Sequence, residues 1–160
     1  MAKQGFLARL IKEKAIESVE PSNEVSQAYL DKSRRYMETS NLLFRNKRFE
    51  ESISMSYYSM YYSLLSILFK AGIKSENHAA SIILLKEIFD VDNSKISFAK
   101  TQRVDKQYYI DFKITETDAK ELLEIAQQFN SELENKISRM KLEDIKVYRK
   151  KFEGWLGEHC

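Results

Sequence analysis

The sequence predicts an all-α fold: an antiparallel up-and-down bundle of four to five main helices, with an extra N-terminal helix and a C-terminal helical extension. Three observations carry this expectation. The 160 residues include only one Pro and four Gly, too few for the frequent turns that a β-rich fold needs. The stretch Arg48 to Ile73, RFEESISMSYYSMYYSLLSILFKAGI, contains no helix breaker before Gly72 and has room for a helix of about 24 residues, or roughly 36 Å. Along that stretch run two stripes at helical spacing. Ile53, Tyr57, Met60, Tyr61, Leu64, Leu65 and Leu68 form one, and Ser52, Ser56, Ser59, Ser63 and Ser66 form the other. A helix that is apolar on one face and small on another is surrounded, because small side chains admit a second backbone at close range.

The other elements follow in order. Phe6, Leu7, Leu10, Ile11 and Ala15 outline a short amphipathic helix that closes before Pro21, and residues 1–20 read as an N-terminal arm packed on its own domain. Ser22 or Asn23 caps the next helix, whose expected apolar face is Val25, Tyr29, Tyr36, Leu43 and Phe44. Asn46-Lys47 is a tight turn, so this helix and the central one are antiparallel neighbours. Gly72 ends the central helix, KSEN is a loop, and Ser75 or Asn77 caps a helix carrying His78, Ile82, Ile83, Leu85, Ile88 and Phe89.

Lys95 to Phe112 lacks a clean period and reads as a short helix followed by a loop. Thr115 with Asp118 forms a capping box ahead of a second long helix through Ala119, Leu122, Ala126, Phe129, Leu133 and Ile137. Whether that helix breaks near Met140 or runs on is open from sequence. The bundle is expected over residues 22–140 and the extension over 141–160, with a frayed GWLGEHC tail.

Composition excludes several function classes. A formal net charge of +2 does not mark a general nucleic-acid binder. The single Cys160 leaves no disulfide framework, which fits a reducing, cytoplasmic setting. The N-terminus lacks the apolar run of a secretory signal, and no stretch suits a membrane span. HExxH, CxxC and Gly-rich phosphate loops are absent, and with only His78 and His159 no metal site and no cofactor is expected.

Two places could carry chemistry. His78 stands at a helix start beside Ser75 and Asn77, where a general base, a phosphate contact or plain packing all fit. RVDKQYY, from Arg103 to Tyr109, gathers Arg103, Asp105, Tyr108 and Tyr109 on what reads as an irregular connection. There Arg clamps a phosphate and Tyr stacks on a base, or the group simply plugs the bundle end. KVYRKK, Lys146 to Lys151, reads as a solvated helix face. The tyrosine-rich helix itself reads as packing, which leaves the chemistry to the loops.

The segment YLDKSRRYMETSNLLFRNKRFEESISMSYYSMYYSLLSILFKAGI resembles the HEPN domain, in particular the small prokaryotic UPF0332-type HEPN proteins. SYYSMYYS stands where that family has a Tyr-Tyr run rich in Ala. KSENH, residues 74–78, looks like its Lys-Ser/Thr-His element, and RVDKQYY looks like its Arg…Asp-Tyr element. The resemblance covers about residues 24 to 138. It implies a helical bundle that forms a homodimer, a minimal nucleotidyltransferase as protein partner in a toxin–antitoxin-type pair, and association with nucleotide or RNA, with no membrane. It also implies ligand contacts from Lys74, Ser75, Asp105, Tyr108 and Tyr109.

Many HEPN domains are metal-independent ribonucleases with Arg, four to six residues, then His. Here that slot after Arg103 holds Tyr108 and Tyr109, and a Tyr of ordinary pKa near 10 is a poor base at neutral pH. Whether the chain is an enzyme is therefore left open. The leading expectation is a binding module. The alternatives are a ribonuclease using Arg103 and His78 as catalytic residues across a dimer, and a helical scaffold without ligand.

Overall fold

The computed structural model describes residues 1–107 and 113–160, and the side chains of all of these except 104–107. The described residues form helices α1 (Ala2–Lys12), α2 (Asn23–Arg45), α3 (Phe49–Lys70), α4 (His78–Phe89), α5 (Ser94–Gln107), α6 (Glu116–Arg139) and α7 (Leu142–His159). Two short strands, β1 (Ile16–Ser18) and β2 (Ile73–Ser75), complete them. The expected all-α bundle is the fold. No described helix is long and apolar enough to cross a membrane.

The two stripes of α3 bury on two different neighbours. Ile53, Tyr57, Met60, Leu64 and Leu68 are fully buried in the core. Ser52, Ser56, Ser59, Ser63 and Ser66 are also buried, against α2. The matching residues on α2 are Ser26, Ser33 and Ser40, and not the larger apolar residues expected from sequence. Val25, Tyr29, Tyr36, Leu43 and Phe44 are only half-buried.

The seam is a ladder of hydroxyls. Ser26 Oγ lies 2.9 Å from Ser66 Oγ, Ser33 Oγ donates to the Ser59 carbonyl at 2.7 Å, and Ser40 Oγ lies 2.6 Å from Ser56 Oγ. Side chains this small let two backbones approach closely, and each buried hydroxyl finds a partner there. Left unpaired, such a group would cost about 1–3 kcal/mol. α6 closes over the seam through Asn130, whose Nδ2 donates to Ser59 Oγ at 3.0 Å while its Oδ1 accepts from Ser63 Oγ at 2.9 Å.

Local signals set the helix ends. Ser22 caps α2 by accepting from the Val25 N–H, Asn77 caps α4 by accepting from the Ala80 N–H, and Thr115 with Asp118 forms the expected capping box. The chain breaks at Met140, which has extended backbone, so α6 and α7 are separate helices. α5 is longer than the short helix expected. Its buried Ile96 and Ala99 form too narrow a stripe to show as a period.

KSEN is not simply a loop. Lys74 and Ser75 lie in β2, which pairs antiparallel with β1, Ile16 opposite Ser75. Strands of three residues are too short for alternation to register in a sequence. Gly72, at φ 75°, turns the chain from α3 into β2, and a Cβ there would stand 1.9 Å from Arg149 Nη1 and 2.4 Å from the Val19 carbonyl oxygen. Arg149 of α7 donates to the Val19 and Ala71 carbonyls at 2.8 and 3.1 Å. α1 adds Leu7 and Leu10 to the core. The expected frayed tail is instead helical to His159, with Trp155 buried and donating to Glu87, which also pairs with Lys3 of α1 at 2.7 Å.

The seam predicts that added size costs more than lost polarity. Ser33→Leu is expected to lower stability by about 1–3 kcal/mol through overpacking, and Ser33→Ala by only about 1 kcal/mol. Urea midpoints measure both. A Leu variant as stable as the Ala variant would contradict close approach at the seam.

Candidate functional site

Two helices, α4 and α5, converge beside the middle of α3. His78 is the first residue of α4, and its Nδ1 lies 2.8 Å from the Tyr57 hydroxyl. Its ring stacks on Tyr61, with centroids 3.8 Å apart and planes 17° from parallel. Arg103 projects from α5, its guanidinium carbon 4.6 Å from the Tyr58 ring centroid and 5.6 Å from that of Tyr57. The two residues singled out from sequence are thus brought to one pair of adjacent tyrosines within a single chain.

Arg103 stands on a helix, where a loop was expected. The walls of the site come from the central helix, to which sequence assigned only packing. Tyr57, Tyr58 and Tyr61 are therefore the functional candidates that sequence reasoning passed over. Their signal was present as the doublets in SYYSMYYS: neighbours on a helix point about 100° apart, so the two members of a doublet cannot both face one core.

The electrostatics leave one dominant charge. Burial, then the nearby Arg103 and Lys100, push the His78 pKa below its ordinary value and favour neutral imidazole. Burial, then Tyr61, push Tyr57 above the ordinary phenol value, so its hydroxyl stays protonated. Burial likewise raises Tyr61. The hydrogen bond between Tyr57 and His78 therefore joins two neutral groups. Either the hydroxyl donates to Nδ1 and Nε2 carries the proton, or Nδ1–H donates and Nε2 is free to accept one. Among the described residues no carboxylate pairs with Arg103. A guanidinium lying on aromatic faces beside a neutral hydrogen-bonding imidazole favours an anion attached to a flat group.

The remaining expected contacts divide. Ser75 stands behind the site, accepting from Ser81 Oγ at 2.8 Å, and that hydroxyl lies 3.4 Å from the Tyr61 hydroxyl. The Lys74 ammonium is held by Glu17 at 3.2 Å and Glu76 at 3.0 Å. Tyr108 and Tyr109 lie outside the described residues, as does the side chain of Asp105. In KVYRKK, Lys146, Lys150 and Lys151 are exposed while Arg149 turns inward to backbone carbonyls. Among the described residues no three His, Cys, Asp or Glu side chains stand together as a metal group would require.

A comparison with protein-family models matches the HEPN domain over residues 26–136. The chain belongs to the HEPN domain family. No curated protein matches it. The matched span includes Tyr57, Tyr58, His78 and Arg103, while α1, β1 and α7 lie outside it. Membership places the chain among nucleotide- and RNA-associated modules.

The pKa shift of His78 sets a pH dependence. Unfolded His titrates near 6.5, and the folded chain holds His78 neutral to lower pH. As pH falls through about 6.5 the unfolded state takes up the proton first, so folding stability declines there and is regained above that value. The loss in urea midpoint between pH 7.5 and 5.5 is expected to shrink in His78→Gln, and equal losses would contradict a half-buried imidazole held neutral by the fold.

Proposed function

We propose that this HEPN domain is a nucleotide- or RNA-binding module whose phosphate anchor is Arg103, lying on Tyr58 beside neutral His78. The observation that carries the reading is the shared tyrosine pair: the Arg103 guanidinium carbon 4.6 Å from the Tyr58 ring and His78 Nδ1 2.8 Å from the Tyr57 hydroxyl. The planar fork of Arg103 suits two phosphate oxygens at once. His78 supplies a neutral donor or acceptor, and Tyr58, with Tyr108 and Tyr109 further along the chain, offers ring faces for a base. The reading extends to a homodimer working beside a minimal nucleotidyltransferase in a toxin–antitoxin-type pair. The support for that extension is the likeness of SYYSMYYS and KSENH to the small prokaryotic HEPN proteins.

A second reading, a metal-independent ribonuclease, is favoured by the meeting of Arg103 and His78 in one chain. With Nδ1–H donating to Tyr57, Nε2 would accept the proton of an RNA 2′-hydroxyl. The 2′-oxygen would then bond to phosphorus, and the 5′-oxygen would leave, taking a proton from water and yielding a 2′,3′-cyclic phosphate. Arg103 would neutralise the charge that develops on the phosphate oxygens.

Binding of fluorescein-labelled oligo(U) to the full chain, followed by anisotropy, tests the first reading. Arg103→Ala is expected to weaken binding at least tenfold, about 1.4 kcal/mol, and the wild-type affinity should fall as salt rises. Absence of wild-type binding would reject the module. His78→Gln separates the readings: for a ribonuclease it abolishes cleavage and relieves growth arrest while binding persists, and for a binding module neither wild type nor variant cleaves.

A further inference from the structure

Leading away from Arg103, a line of half-buried rings follows the groove between α2 and α3 on the flank opposite α6. Tyr36 lies 6.3 Å from Tyr58, Tyr62 lies 4.9 Å from Tyr36, Tyr29 lies 6.0 Å from Tyr62, and Phe69 lies 5.5 Å from Tyr29, all centroid to centroid. On α2, Met37 faces the other way and reaches Asn130 of α6, its sulfur 3.7 Å from Nδ2. The line begins at the proposed phosphate anchor, and between Tyr58 and Phe69 it runs about 16 Å along α3.

Among the described residues its charge has one sign. Lys32 Nζ lies 4.4 Å over the Tyr62 ring and 5.9 Å from that of Tyr36, and Arg103 lies over Tyr58 at the end. Among the described residues neither cation is ion-paired. From Ser52 to Phe69 α3 carries no charge, and the α2 positions on this flank, Val25, Tyr29, Lys32 and Tyr36, include no acid. Burial, then a hydrogen bond to Tyr36, push Tyr62 up to about 12, so its hydroxyl adds no negative charge. Cores of protein–protein interfaces are depleted in Lys, whereas successive ring faces flanked by cations are the arrangement that holds single strands.

We propose that this tyrosine line is a stacking track for single-stranded RNA, entered at Arg103 and continuing past Lys32 to Phe69. The proposal rests on the reading of Arg103 as a phosphate anchor and adds the substrate class, an extended single strand of about four or more nucleotides. Bases pack against the sides of Tyr36, Tyr62 and Tyr58 that no cation covers, and Arg103 over Tyr58 and Lys32 over Tyr62 face the backbone between them.

Anisotropy titrations of the full chain with fluorescein-labelled rU2, rU8, dT8 and an eight-base-pair RNA duplex test it. rU8 is expected to bind roughly tenfold or more tighter than rU2, and tighter than dT8 or the duplex. Tyr36→Leu and Tyr62→Leu are each expected to weaken rU8 roughly tenfold and to leave rU2 unchanged. Tyr62→Phe keeps the ring and should retain rU8 affinity. Lys32→Gln should weaken rU8 without altering the thermal midpoint, which keeps the test open if a Leu variant misfolds.

Equal affinity for rU2 and rU8, or indifference of rU8 to both Leu variants and to Lys32→Gln, would overturn the track while leaving the Arg103 anchor standing. Loss of rU2 and rU8 binding by the wild type would instead remove the anchor. dT8 or duplex binding as tightly as rU8 would overturn the assignment to single-stranded RNA. If light scattering shows that Tyr36→Leu or Tyr62→Leu halves the mass of the wild type, the face joins two copies of the chain and the proposal is wrong.

Discussion

The close approach of α2 and α3 along their buried serines decides where every tyrosine of the central helix points. With Ser56, Ser59 and Ser63 against α2, the 100° step between helical neighbours sends Tyr57 and Tyr61 into the core beside α4 and leaves Tyr58 and Tyr62 on the flank. Ser-Tyr-Tyr at residues 56–58 is thus a three-way division: seam, core, surface. A bulkier residue at the seam would push the helices apart and turn α3. The Tyr57–His78 hydrogen bond and the ring that Arg103 covers would then move together.

That geometry explains what was legible in the sequence. The apolar and serine stripes of α3 sit where their spacing placed them, because a helix enclosed on all sides advertises each face by residue size. The partner face on α2 was misread. Hydrophobicity pointed to Tyr29 and Tyr36, while the buried contact is Ser26, Ser33 and Ser40 at a spacing of seven, which scores as polar surface unless the facing helix is known. Arg103 and His78 were recognisable by residue type, yet their meeting was not, because it depends on α4 and α5 both packing against α3. β1 and β2 left no trace, since three residues carry no usable alternation.

Two arginines show how the same side chain divides between structure and site. Arg149 spends its donors on the Val19, Ala71 and Gly72 carbonyls and is thereby fixed in place. Arg103 lies on ring faces, which attract the cation without occupying its hydrogen-bonding fork. Around it the chain holds neutral groups, His78 and Tyr57, so its charge is not cancelled by its described neighbours. An anion arriving there meets a positioned cation whose donors no described residue occupies, whereas at Arg149 it would have to displace three backbone acceptors.

The segments outside the matched HEPN span bear on that site through the backbone leading into it. β2 runs directly into Asn77, the cap of α4, and so into His78. β1 pairs along β2, and the Glu76 N–H donates to the Ala15 carbonyl at 2.8 Å, which carries the pairing to within two residues of His78. At the other end Arg149 of α7 braces Val19 against the turn at Gly72. A helix start following a free loop would leave the imidazole to wander over the tyrosines. Tied at both ends of a short sheet, it keeps its stacking on Tyr61 and its bond to Tyr57, and the added N- and C-terminal elements thereby act on the site as positioning structure without contributing a side chain to it.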